Sequence, residues 1–328
     1  MPPLRFSQPE GDHIINTWKY MRLKINKVET IVILVGIALL IFAGIKALNA
    51  SFTHDESYSY LNYVHTSFMD IISFKRWYTN NHILNTLMMK ISEWFFGNSE
   101  FSLRLPNLIM FAVFLCYGYF LLNGKNKMLT LGLFLLLCTN NSLVDLFGLA
   151  RGYGLSFGFM LMSLFHFIQS FYGNQKTNLV LFHAGSLLAI LSNFTLLDFY
   201  VALLIIYNVM NFIQCRILSN EKYRFFESNK TNGICLLLVF IILYEPVRRV
   251  IMHSTLDFGG KDGFYADTIR NLIQYCVHGI YLPSWGLFTG MVIYTIILTL
   301  PIVFIVRIIL KKDKDQFLKQ RSLVISTL

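Results

Sequence analysis

At 328 residues, 55% hydrophobic and only 14% charged, with a mean hydropathy of +0.53, the chain falls well short of the roughly 25% charged residues of soluble globular domains. The deficit runs along the whole length, which excludes one large soluble core and indicates an all-α integral membrane protein. The formal net charge of +10 fits Lys and Arg gathered on cytoplasmic loops. Without a basic motif interleaved with stacking aromatics, it does not point to nucleic acid.

In chain order, a polar segment over 1–27 precedes the first apolar run. That run is too long for a signal peptide, and no small-residue cleavage site accompanies it. About eight spanning helices are expected from runs of near 20 apolar residues. They fall at Val28–Leu48, Leu105–Leu122, Met128–Phe147, Tyr153–Tyr172, Leu179–Leu197, Phe199–Ile213, Gly233–Val250 and Leu287–Leu310. The fifth and sixth nearly touch, around Leu197 and Asp198. A basic tail, 311–328, closes the polytopic domain 28–310. The final stretch, Arg321-Ser322-Leu323-Val324-Ile325, reads either as a frayed tail or as the start of a further apolar segment in a truncated chain.

Placing the N-terminus in the cytoplasm puts Lys19, Arg22, Lys24, Lys27, Lys125, Lys127, Lys176, Arg216, Lys222, Arg224, Lys230 and the tail lysines all inside. The opposite orientation would export every one of them. The expected location is therefore the inner (cytoplasmic) cell membrane, multi-pass, with outer loops at 49–104 and 251–286. The five cysteines, Cys116, Cys138, Cys215, Cys235 and Cys276, form no CxxC pair. They read as small buried hydrophobes, neither a disulfide framework nor a zinc site.

The loop 49–104 is too long for a simple connector. In Thr53-His54-Asp55-Glu56, two acids follow the first span almost directly. One reading is a capping box, Thr53 as N-cap and Glu56 reaching back. The other is a general base, since acids at a bilayer surface are costly unless used or paired. The two coexist if Asp55 stays ionised beside a helix N-terminus. Leu84, Leu87, Met88, Ile91, Trp94 and Phe95 recur at helical spacing, an amphipathic helix lying in the membrane interface. Tyr58, Leu61, Val64 and Phe68 suggest a shorter one before it. His54 and His82 are candidate metal ligands beside Asp55 but lack ligand spacing; no metal or other cofactor is expected, and activity is expected to survive chelation. Asn80 and Asn81 are candidate caps or substrate contacts. Arg104 is a candidate phosphate partner or a snorkelling anchor.

The acidic pair, the amphipathic loop and Gly97-Asn98-Ser99-Glu100-Phe101-Ser102-Leu103-Arg104-Leu105-Pro106 leading into the second span together resemble the GT-C membrane glycosyltransferases. Within that family they are closest to the protein O-mannosyltransferases and aminoarabinose-transferase-like enzymes. The resemblance covers about residues 28–200, and many family members are longer. It implies a polyprenyl-phosphate sugar donor, an extracytoplasmic site, and Asp55 in the position of the catalytic carboxylate. Glu56, His54, Asn81 and His82 would line the substrate site. Gly148-Leu149-Ala150-Arg151-Gly152-Tyr153 resembles the family's Arg-x-Tyr stretch, so Arg151 would face the donor phosphate and Tyr153 would belong to the substrate site. Arg151 also reads as an interfacial anchor.

The second outer loop carries Gly259-Gly260-Lys261-Asp262-Gly263, without P-loop spacing. It reads as a solvated loop or as a cover with Lys261 on phosphate. The expected partners are the lipid-linked donor, membrane lipids and an acceptor (a lipid, glycan or protein). Two other classes remain: a lipid-linked sugar flippase, against which the charges at span ends speak, and a non-catalytic assembly subunit.

Overall fold

The computed structural model describes residues 26–253 apart from 77, 79, 172–174 and 213–221, together with 288, 290–292, 295, 296 and 299. The chain divides into two compact units, Met1–Thr255 and Leu256–Leu328. Among the described residues every regular element is helical: α1 Lys27–Asn49, α2 His54–Ser59 running into a π-helical turn Tyr60–Val64, α3 Phe68–Ile72, α4 Ile83–Phe96, α5 Glu100–Leu122, α6 Lys127–Cys138, α7 Asn141–Phe147, α8 Gly152–Gln169, α9 Gln175–Ser192, a 3-10 turn Phe194–Leu196, α10 Leu197–Phe212 and α11 Lys222–Met252.

α1 shows how a membrane helix divides its faces. Asn26 and Glu29 form a capping box at its start. Its packed face is built from small side chains: Gly36, Ala43 and Ala47 are buried there with Val32, while Leu34, Ile37, Ile41, Ile45 and Leu48 are exposed. Small residues let helices approach closely, and large apolar ones suit lipid. The same rule sets the α8–α9 seam. Ser163 and Ser186 share a 2.7 Å hydroxyl contact, and Gly185 lies so close that a Cβ there would sit 3.2 Å from Ser163 Cα.

The helices run alternately between two ends. At the lower end Tyr119 meets Glu29 (3.2 Å), Tyr117 meets His166 (3.2 Å), His166 meets Asn178 (2.9 Å) and Gln175 meets Tyr207 (3.0 Å). At the upper end Arg104 reaches the carbonyls closing α1, Lys46 pairs with Asp145, and Ser192 lies against Gly152. Among the described residues, three runs are long and apolar enough to cross a bilayer: Lys27–Asn49, Glu100–Leu122 and Phe194–Phe212. The pair α6–α7 makes a fourth if its 64° bend counts as one broken span. This is a membrane-embedded helical protein.

Several boundaries differ from those expected. Met128–Phe147 is not one straight span: it breaks at Thr139-Asn140, where Asn140 caps α7 by accepting from the Leu143 amide (3.3 Å). The fifth and sixth runs part at Asn193, whose side chain accepts from Thr195 (3.2 Å), and not near Leu197. The second run begins at Glu100, so Arg104 and Pro106 lie inside α5. Pro106 has no N–H to give the Ser102 carbonyl; the Ser92 hydroxyl of α4 donates to it instead at 2.5 Å. In α4 the buried face includes the polar Asn85, Thr86 and Ser92, while Trp94, Phe95 and Phe96 are exposed, as aromatics at a membrane surface are. In the second unit the described residues are helical, and Phe288, Val292 and Ile296 are exposed. The rest of the expected run Leu287–Leu310 lies outside the described residues.

Candidate functional site

Thr53 and Glu56 do form a capping box: the Glu56 amide donates to Thr53 Oγ1 (3.3 Å) and the Thr53 amide to Glu56 Oε2 (2.9 Å). Side chains adjacent on a helix point about 100° apart, so Asp55 and Glu56 cannot face the same surroundings. Glu56 turns inward and is 0% exposed. Arg104, equally buried, grips it with two parallel bonds, Nε to Oε1 (2.9 Å) and Nη2 to Oε2 (2.9 Å). The remaining guanidinium N–H groups donate to the carbonyls of Ala47 (2.9 Å), Ala50 (2.5 Å) and Ser51 (3.1 Å). The first two of these carbonyls close α1, where a cation is favoured. The Ala150 amide donates to Glu56 Oε1 at 2.6 Å. Arg104 has five N–H donors, and each is used, so none is left for a phosphate. Burial alone would raise the Glu56 carboxyl, but the Arg104, Ala150 and Thr53 hydrogen bonds outweigh it and hold it below the usual range. The Glu56–Arg104 pair binds the end of α1, the start of α2, α5 and the turn before α8 into one joint.

Asp55 turns outward, its side chain 56% exposed. Its Oδ2 lies 3.3 Å from Arg151 Nη2, and His54, itself exposed, is 3.6 Å from Oδ1. Arg151 is buried apart from this edge. It also donates to Asn80 Oδ1, and its guanidinium stands 5.6 Å over the Tyr153 ring. A carboxylate and a guanidinium from distant parts of the chain are thus brought together at the rim. Asp55, His54, Arg151, Tyr153 and Asn80 gather here; Arg104 and Glu56 sit beneath as a support.

His82 joins the same cluster. Its ring is edge-on to Tyr153, centroids 5.3 Å apart. Gly152 makes room for it: a Cβ there would come within 2.6 Å of His82 Cγ and 1.9 Å of the Ser192 oxygen. The residue is partly exposed, yet its Nε2 is enclosed and has no hydrogen-bond partner among the described residues. Burial first, then the Arg151 charge, push the imidazole down to about 3, against the Ser192 carbonyl and Asp55. Asn81 is buried and does not cap α4. It donates to the Arg76 carbonyl (3.0 Å) and accepts from Thr86 (3.1 Å), which makes it a strut of the loop.

Below the site, Asn85 and Asn107 form a relay that spacing alone did not reveal. Asn85 Nδ2 donates to the Ala150 carbonyl (2.9 Å); Asn107 donates to Asn85 (3.0 Å) and accepts from the Leu155 amide (3.0 Å). Together they fix the turn that carries Arg151. Lys261 lies outside the described residues. Among those described, no three His, Cys, Asp or Glu side chains gather as metal ligands. No protein-family model, no curated protein and no solved structure matches the chain.

Proposed function

We propose that the protein is a membrane glycosyltransferase that moves a sugar from a polyprenyl-phosphate donor to an acceptor hydroxyl or amine. The observation that carries the reading is the split of the acidic pair: Glu56 is locked by Arg104, while Asp55 is left open beside Arg151. An anionic base at a rim next to a guanidinium suits this displacement. Asp55 takes the acceptor's proton as the acceptor atom forms its bond to the anomeric carbon. The bond from that carbon to the phosphate oxygen breaks, and polyprenyl phosphate leaves with the electron pair, its charge met by Arg151. One displacement inverts the anomeric carbon. The adjacent carboxylate, Glu56, is committed to Arg104 and does not serve a double displacement.

In this reading the alternating helices cross the membrane about eight times, the N-terminus is cytoplasmic and the upper end faces outward. The test is mass spectrometry of lipids retained by purified Asp55→Asn protein. A polyprenyl-phosphate sugar is the expected species, enriched over wild type. Ordinary phospholipid alone in both preparations contradicts the reading.

A further inference from the structure

Resting on the glycosyltransferase reading, we infer that His82 is a neutral hydrogen-bond acceptor for a hydroxyl of the donor's sugar, the part of the donor that Arg151 does not hold. His82 is the N-cap residue of α4, yet its side chain caps nothing. Its ring instead packs on the first residue of α8. The Ser192 carbonyl acts on this ring as an acceptor, and Nε2 has no partner among the described residues. With Nδ1 only 2.7 Å from the Cβ position at Gly152 that would also meet that oxygen, the Nδ1 edge is the one facing Ser192. A carbonyl accepts only from a protonated nitrogen, so Nδ1 carries the hydrogen and Nε2 keeps a bare lone pair.

No described group donates to that Nε2. Leaving a buried acceptor unmatched is unfavourable and uncommon. Protonation does not relieve it, because three positive features meet at the ring: the Arg151 guanidinium and the N-terminal ends of α4 and α8, neither of which has a side-chain cap. A donor does relieve it, and an uncharged hydroxyl suits such surroundings. A phosphate oxygen without hydrogen does not, since it offers only lone pairs. Tyr153, half-buried, stands between His82 and Arg151, at the boundary of the two parts of the site. The site then reads its ligand in two parts, phosphate by Arg151 and sugar by His82.

The test uses full-length protein in detergent with four probes: bare undecaprenyl phosphate, and undecaprenyl phosphate bearing glucose, mannose or galactose. Wild type should bind at least one sugar-bearing lipid more tightly than the bare one. In His82→Phe that gain should shrink by about tenfold, the scale of one lost hydrogen bond, while bare-lipid binding stays within about twofold. His82→Gln, whose side-chain oxygen still accepts, should keep most of the gain. Equal weakening of bare and sugar-bearing lipids in His82→Phe, or an intact gain, overturns the inference and leaves the glycosyltransferase reading standing. No gain from any sugar in wild type overturns that reading and this inference with it. Should His82→Phe fail to fold, nitrogen-15 histidine spectra of the wild type decide: an unprotonated Nε2 whose resonance shifts with a sugar-bearing lipid but not the bare one is expected, and a protonated Nε2 is contrary.

Discussion

Two acid–guanidinium pairs start from adjacent residues in the first loop, and they are built to opposite ends. Glu56 and Arg104 are both fully buried, bidentate, and surrounded by further donors and acceptors. Asp55 and Arg151 meet by a single 3.3 Å contact with the carboxylate half in the open. The first pair has no capacity left for a ligand; the second has kept a free acceptor edge. Adjacent like residues thus take different work because a helix start sends them in different directions, inward to the joint and outward to the rim.

Removing one partner of the closed pair should have the largest effect. Glu56→Gln can still complete the capping box, but its amide NH2 would face either Thr53 N–H and Arg104 Nη2 or Ala150 N–H and Arg104 Nε. Leaving such a buried charge unpaired costs about 3–5 kcal/mol, so thermal unfolding in detergent should show a large loss of folded protein. The wild type carries a pH signature of the same pair. Its folded Glu56 is held below the usual value, so the pair's stabilisation is complete above an unfolded value of about 4.3 and fades as pH falls through the lower folded value. Melting temperature should hold from neutral to mildly acidic pH and then drop, and Glu56→Gln should lack this part of the slope.

At the open pair the effects should fall on the ligand and spare the fold. Arg151→Lys keeps a positive charge but loses the fork that reaches Asp55 and Asn80 together. The donor KM should rise by roughly tenfold, with melting little changed. A melting loss as large as that of Glu56→Gln would make this pair structural too. A loss confined to folding, and smaller than that of Glu56→Gln, is expected below the site. Ser92→Ala leaves the Ser102 carbonyl without the donor that replaces the missing Pro106 N–H, which costs about 1–3 kcal/mol. Equal melting of Ser92→Ala and wild type would show that carbonyl to be satisfied in another way.

Local features of this division were legible in the sequence. Thr53-x-x-Glu56 announced its capping box, the apolar recurrence from Leu84 to Phe95 announced α4, and hydropathy placed the first, fourth and sixth runs to within a few residues, while the seventh, Gly233–Val250, lies well inside Lys222–Met252. The kink in the third run was signalled by Thr139-Asn140-Asn141, a polar break with a helix cap in it. What could not be read was pairing across distance. Nothing local says that Arg104 belongs to Glu56 and Arg151 to Asp55, since the choice is made by how α5 and α8 pack against the loop. Ser92 opposite Pro106, Asn85 against Asn107 and Ser192 against His82 share that origin. Each lone polar residue in an apolar stretch warned of a partner, but only the fold named it.

The most direct measurement is turnover of Asp55→Asn, paired with its melting temperature. Asparagine keeps the size and the acceptor oxygen of aspartate, so the helix start and the contact with Arg151 largely survive. It cannot take a proton, and a positioned base contributes about 10²–10⁴-fold. Transfer activity should fall by that factor while the protein melts as the wild type does. Transfer near the wild-type rate, or a melting loss as deep as that of Glu56→Gln, would contradict the assignment of Asp55 as the base.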